Sequence, residues 1–268
     1  MSDGTATLLI NNQTDVEIVT LNREKVLNAL DEPLIDSLLE YFRRLPDRPE
    51  VRVIILRGSG RVFCAGGDLA GGDEMAEQSG PVPNMYRVQD KLARLVTAMH
   101  RCPQPIIALV QGAAAGGGFA LAAAANFRLG VENTRFICSF IRVGLSACDC
   151  GLSYFLPRLV GLAKASDIML TGREVRAEEA LELGLLNRIV SLEQLELEGL
   201  KLAREMCALA PLGLRMTKEV LQQNADATSI EAAVALENRT QVLLGQTEDM
   251  QEGFKAFLER RPAKYRGR

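Results

Sequence analysis

Short apolar runs alternate with polar turns through the first third of the chain, and helical spacing takes over toward its end. Thr7-Leu8-Leu9-Ile10 and Val16-Glu17-Ile18-Val19-Thr20-Leu21 are rich in β-branched and aliphatic residues, and the polar residues 11–15 between them read as a turn. Asp31-Glu32-Pro33 then opens a helix, with Asp31 as N-cap and Pro33 in the first turn. Its apolar positions Leu34, Ile35, Leu38, Leu39 and Phe42 follow helical spacing, and Pro46 and Pro49 end it. Val51-Arg52-Val53-Ile54-Ile55-Leu56 reads as a strand, as does Pro105-Ile106-Ile107-Ala108-Leu109-Val110. Residues 71–84, rich in Gly, Pro and acid, read as a mobile loop before a helix over 86–99. A helix over 119–125, a strand over 127–131, a helical stretch over 156–170, a helix from Ala177 to its glycine stop at Gly184 and a short strand over 187–190 follow. From Leu192 onward the pattern is almost wholly helical.

Composition narrows the function classes. The 268 residues are 47% hydrophobic, enough for one large domain or one domain with a helical appendage. A net charge of −3 supplies no broad basic excess for nucleic acid, and four Tyr with no Trp give no stacking surface. The longest apolar stretch, 106–129, is broken by glycines and contains Asn126 and Arg128, which reads as buried strand, turn and helix rather than a membrane span. The first residues carry no basic segment followed by an apolar core, so no signal peptide is expected. Six cysteines without CxxC spacing read as free thiols in a reducing cytoplasm, and a single histidine, His100, argues against a zinc or other His-based metal site.

Two glycine turns carry the chemistry. Phe63-Cys64-Ala65-Gly66-Gly67-Asp68-Leu69 follows the first of the two apolar strands, and Gln111-Gly112-Ala113-Ala114-Ala115-Gly116-Gly117-Gly118 follows the second. Without a Cβ, such turns let a ligand reach the backbone, and two of them can aim two N–H groups at one oxygen to stabilise negative charge there. This pair, in this order and with the ββα pattern around it, resembles the crotonase (enoyl-CoA hydratase/isomerase) superfamily over nearly the whole chain, from Leu8 to Arg268. The resemblance implies an α/β fold: a ββα spiral core over residues 1–195 holding an acyl-CoA site, and a C-terminal helical oligomerisation region over 196–268. It also implies a homotrimer or a dimer of trimers, a role in fatty acid metabolism and no resident cofactor, coenzyme A being part of the substrate.

Carried over by position, the oxyanion hole falls to the N–H groups of Gly67 and Gly117, with the helix after Gly118 adding its positive end. Ala65, Asp68 and Leu69 flank the first donor and are implied contacts to coenzyme A, and Asp68 suits local hydrogen bonding better than chemistry. On the adenine side, Asn22 to Leu30 resembles the family's segment with Glu24 in place of the usual proline, and Lys25, Leu27 and Ala29 are the implied contacts. The closing helix around Phe254 offers Lys255 and Arg260 as phosphate ligands, or as a solvated basic tail.

One departure is pronounced. Two-glutamate hydratases carry acids at the positions of Ala120 and Phe140 here, and neither residue can move a proton. Asp149, in Ser146-Ala147-Cys148-Asp149-Cys150-Gly151, is the candidate replacement, since dienoyl-CoA isomerases and chlorobenzoyl-CoA dehalogenases carry a functional Asp at a comparable place. The competing reading makes Asp149 a helix N-cap. Arg142 is a possible partner for Asp149 or a surface residue, Cys138 and Cys148 read as neutral thiols, and Glu74 and Tyr86 are candidate second proton carriers. The first reading is a 2-enoyl-CoA hydratase/isomerase-type enzyme with Asp149 as acid/base. Isomerase, hydrolase or dehalogenase-like chemistry at Asp149, and a non-catalytic CoA-binding protein, stay open.

Overall fold

The computed structural model describes residues 6–68 and 80–268. Leu69 and Glu74 lie outside the described residues, as does most of the expected loop over 71–84. The chain winds through repeated strand–strand–helix turns, which is the α/β spiral expected of a crotonase. Strands β1 (Leu8–Gln13), β2 (Val16–Leu21), β3 (Val53–Gly58), β4 (Ile106–Val110), β6 (Phe127–Gly130) and β9 (Arg188–Ile189) form one sheet in the order β1-β2-β3-β4-β6-β9. Only the β1–β2 pair is antiparallel, and every later pair is parallel. A second sheet is made of β5 (Ala113–Ala115), β7 (Arg135–Ile137) and β8 (Glu174–Arg176). These three-residue strands are too short to show a period in sequence, which is why they are not predicted.

The parallel strands bury both faces, as their unbroken aliphatic runs require. In β3, Ile54 and Leu56 point into one core with α1 (Glu32–Arg44) and α2 (Pro81–Arg101), while Val53 and Ile55 point into another with α7 (Leu195–Cys207). Leu34, Ile35, Leu38 and Phe42 of α1 are essentially inaccessible to water, and each such side chain contributes about 1.5–3 kcal/mol relative to exposure. Asp31 caps α1 as expected, its carboxylate accepting from the Leu34 N–H at 3.0 Å.

Several expectations need correction: residues 11–13, read as a turn, extend β1 as strand. Helix α2 begins at Pro81, not Tyr86, so residues 81–84 are helical; proline fits the first helical turn, where its missing N–H is no loss. The stretch 156–170 is two helices, α4 (Leu152–Val160) and α5 (Leu162–Thr171), interrupted at Gly161 with φ +79°. Helix α3 (Gly117–Ala124) is buried on every face and starts two residues earlier than its pattern suggested. Buried Arg128 donates to the Ala125 and Ala122 carbonyls at its C-terminal end and to Leu185, fixing the helix that begins at the second glycine turn. Helices α6 (Ala177–Glu182), α8 (Pro211–Asn224), α9 (Ile230–Leu244) and α10 (Glu248–Leu258) complete the chain. No helix of the described residues is long and apolar enough to cross a membrane.

Candidate active site

Each spiral turn leaves the first sheet and takes one short step in the second layer before its helix, and those steps stack. Leu30 bridges Gly67, and Cys64 bridges Ala114 of β5. The Leu30 N–H donates to the Gly66 carbonyl at 2.7 Å, and the Asp68 N–H donates to the Leu30 carbonyl at 3.0 Å. The Gly67 N–H falls between these two bonds and meets no backbone acceptor among the described residues. A Cβ built on Gly67 would meet no atom of the described residues within 4 Å.

The second turn sits against the first. Gly116, at φ +49° and ψ −118°, turns β5 into α3 and donates to the Ile137 carbonyl at 2.9 Å. Gly117 and Gly118 open the helix, where N–H groups lack intrahelical acceptors. The contact is close enough to demand glycine: a Cβ on Gly118 would run into the Cys64 carbonyl, and one on Gly66 would stand 2.8 Å from the Ala115 oxygen. Leu30 links the two glycines, pairing with Gly67 and lying 2.9 Å from where a Gly117 Cβ would be. The structure therefore brings Gly67 and Gly117 together.

A ledge runs beside the first turn. Arg23 bridges Asp68 at 2.9 Å and Asp31 at 3.0 Å, and donates to the Ala29 carbonyl at 2.5 Å. Buried Asn28 takes a left-handed φ of +56° and donates to the Ser59 and Val62 carbonyls, while Ala65 donates to the Leu27 carbonyl at 3.0 Å. Lys25 is exposed on this ledge, Leu27 half-buried and Ala29 buried. The Asp68 carboxylate thus holds the ledge through Arg23.

Asp149 lies on the loop entering α4. Its Oδ1 accepts from the Cys150 N–H at 2.6 Å and from the side-chain amide of Gln89 on α2. Cys150 has φ +47°, a left-handed conformation that costs a residue with a Cβ about 1–2 kcal/mol. Gly151, also left-handed, occupies the N-cap of α4, and no side chain caps that helix. The N-cap reading of Asp149 is therefore corrected, because the two left-handed residues turn its carboxylate onto its neighbour's N–H instead.

A family model described as enoyl-CoA hydratase/isomerase matches residues 11–268. The chain belongs to the enoyl-CoA hydratase/isomerase family. It is 35% identical over 258 residues to a probable enoyl-CoA hydratase, echA12, of Mycobacterium leprae (strain TN), covering 92% of this chain and 85% of that one. The 1,2-epoxyphenylacetyl-CoA isomerase of Escherichia coli (strain K12) is 31% identical over 262 residues, with 97% and 98% covered. The crystal structure of an enoyl-CoA hydratase from Bacillus anthracis superposes with a TM-score of 0.91 at 28% identity, covering 98% of this chain and all of that one.

Against this family frame, the acid-deficient positions are apolar in space as well as in sequence. Ala120 is fully buried in α3, and the Phe140 ring lies 3.5 Å from the place a Gly116 Cβ would occupy. Burial pushes the Cys138 thiol up to about 11 and the Cys64 thiol up to about 12, which leaves both as neutral packing groups. Burial, then the Asp149 charge, push the Cys150 thiol up as well. Arg142 donates to the Gly172 carbonyl at 2.7 Å and is not bonded to Asp149. His100 bonds Gln222 on α8, and burial lowers its pKa; it lines a cavity of about 600 Å³ with Lys218 and Arg215 that includes neither glycine turn nor Asp149. Tyr86 points to solvent. Lys255 lines a separate cavity of about 600 Å³ under the C-terminal tail, and Arg260 is exposed just beyond α10. Sequence reasoning missed Gln89, a polar residue within a helical pattern that carries no motif of its own.

Proposed function

We propose that this enzyme acts on enoyl-CoA thioesters and that shifting the double bond is the reaction its site suits best. The Gly67 and Gly117 N–H groups receive the thioester oxygen. That lowers the cost of removing an adjacent C–H proton, because the charge of the resulting enolate falls on the oxygen they hold. Asp149 takes the proton from one carbon and returns it two carbons away. No atom is gained or lost in this step.

The observation that carries this reading is the contrast between one hydrogen-bonded carboxylate, Asp149, and the apolar Ala120 and Phe140 where a hydratase places two acids. Moving one proton along an acyl chain needs one acid/base group, whereas adding water needs a second group or a held water. Two relatives named as isomerases support it: the 1,2-epoxyphenylacetyl-CoA isomerase and, at 30% identity, the trans-2-decenoyl-[acyl-carrier-protein] isomerase of Streptococcus mutans. Hydration with Asp149 activating water is the second reading, favoured by the hydratase names of other relatives.

Lys25, Leu27, Ala29, Ala65 and Asp68 would form the coenzyme A side of the cleft with Leu69, and coenzyme A comes with the substrate, not as a resident cofactor. Phe254, Phe257 and Leu258 on α10 and Val242 and Leu243 on α9 are large apolar side chains left exposed, which suits burial in a trimer or a dimer of trimers. Such packing would let Lys255 and Arg260 reach coenzyme A on a neighbouring subunit. Six free thiols fit a cytoplasmic enzyme.

The test is to incubate the enzyme with 2-enoyl- and 3-enoyl-CoA and follow conjugation by absorbance and water addition by mass. Double-bond migration without added water is the expected result. Water addition as the main product would replace this reading with hydration.

A further inference from the structure

Helix α2 is held from two sides. Arg87 and Lys91 are four residues apart and share a face, and both pair with Glu32 in the first turn of α1. Lys91 also reaches Asp36 one turn further along α1, at 2.8 Å. These ion pairs fix the rotation of α2 about its own axis. Residue 89 lies about 200° around the helix from residue 87, because each residue turns it by about 100°. Gln89 therefore points away from α1, and its amide donates to Asp149.

The two donors to Asp149 converge on one oxygen. Gln89 and the Cys150 N–H both bond Oδ1, and no donor among the described residues reaches Oδ2. A glutamine suits this place for two chemical reasons: its NH₂ donates to a carboxylate, and it carries no charge that would bind the proton or repel it. The second donor depends on the left-handed backbone of Cys150 and Gly151, a conformation that a residue with a Cβ keeps only when its surroundings hold it there.

We propose that Gln89 is a positioning residue for Asp149: with the Cys150 N–H it pins Oδ1 and leaves Oδ2 as the single oxygen that carries protons. This inference rests on the reading of Asp149 as the acid/base group. A pinned carboxylate has one oxygen and one orientation for both halves of a proton transfer, so a proton taken from one carbon is delivered to the other. An unpinned carboxylate still removes the proton. It then exchanges that proton with solvent, or returns it to the carbon it came from, more often than it completes the shift.

The experiment compares wild type with Gln89→Leu, which keeps the bulk and removes the donor, and with Gln89→Glu, which keeps the shape. Two rates are measured in D₂O: deuterium entering recovered substrate, and formation of the shifted product. The expected result is a severalfold rise in the ratio of exchange to product formation in both variants. With it comes a fall in kcat of about 10- to 100-fold and little change in KM, as expected when a reacting group is misplaced and binding is untouched. A ratio equal to that of wild type in a folded variant would overturn the proposal, whatever happens to kcat. Asp149→Asn run beside them separates the two claims. If it abolishes both rates while Gln89→Leu leaves the ratio alone, Asp149 works without Gln89; if it leaves both rates intact, the acid/base reading has failed.

Discussion

The glycine turns and the Asp149 loop differ in what fixes them. The turns are backbone objects: two stacked steps of the spiral held by the ladder through Leu30 and Cys64, and so close-packed that added methyl groups at Gly66 or Gly118 would strike carbonyl oxygens. The Asp149 loop is a side-chain object on the rim. It depends on a left-handed cysteine and on a glutamine from a helix sixty residues earlier in the chain. On the proposed reading, charge stabilisation would be built into the core, while proton handling would sit where single substitutions can retune it.

Substitutions on either side should separate the two. The largest effect expected is that of Asp149→Asn, a loss of about 10²- to 10⁴-fold in turnover, the usual worth of a general acid/base. Thermal melting should leave its midpoint nearly unchanged, since asparagine can still accept the Cys150 N–H. On the backbone side, Gly67→Ala should melt like wild type, because its Cβ meets no atom of the described residues within 4 Å, while turnover falls about 10- to 100-fold as the methyl crowds the thioester oxygen. Gly118→Ala reverses that pattern: its Cβ meets the Cys64 carbonyl, and denaturant unfolding should show a loss of about 1–3 kcal/mol. A Gly67→Ala variant as active as wild type would show that the added methyl does not meet the thioester.

The smallest effect concerns pH. Hydrogen bonds from Arg87, then Lys91, hold the Glu32 carboxyl down at about 2, against its ordinary 4.5. A carboxylate depressed in the folded state contributes stability that is present above pH 4.5 and is lost as pH falls toward 2. The melting temperature of wild type should therefore fall more steeply over that window than that of Glu32→Gln. Parallel slopes would show that the α1–α2 ion pairs contribute nothing measurable.

The backbone side was the more legible in sequence. The two apolar strands, Asp31 as a cap and the glycine runs all carry local signatures, and the resemblance joined them into one fold. The proline-rich stretch before α2 misled, because Pro81 reads as loop chemistry and yet suits a helix start. Gly161 divides a run that looked continuous, and the second sheet hides in strands of three residues. Asp149 is singled out as a candidate by its place in the family pattern, and Gln89 is not: a contact between Gln89 and Asp149 is tertiary, and nothing in helical periodicity marks one polar residue of α2 above another.

The central claim is that a thioester polarised by two glycine N–H groups loses and regains a proton through Asp149 alone. The most direct measurement is hydrogen exchange into a bound enoyl-CoA in D₂O, read by mass spectrometry, for wild type and Asp149→Asn at matched substrate occupancy. The account predicts deuterium uptake with double-bond migration in wild type, and neither in the variant although it still binds the thioester. Undiminished exchange in Asp149→Asn would contradict it and place the proton carrier elsewhere in the cleft.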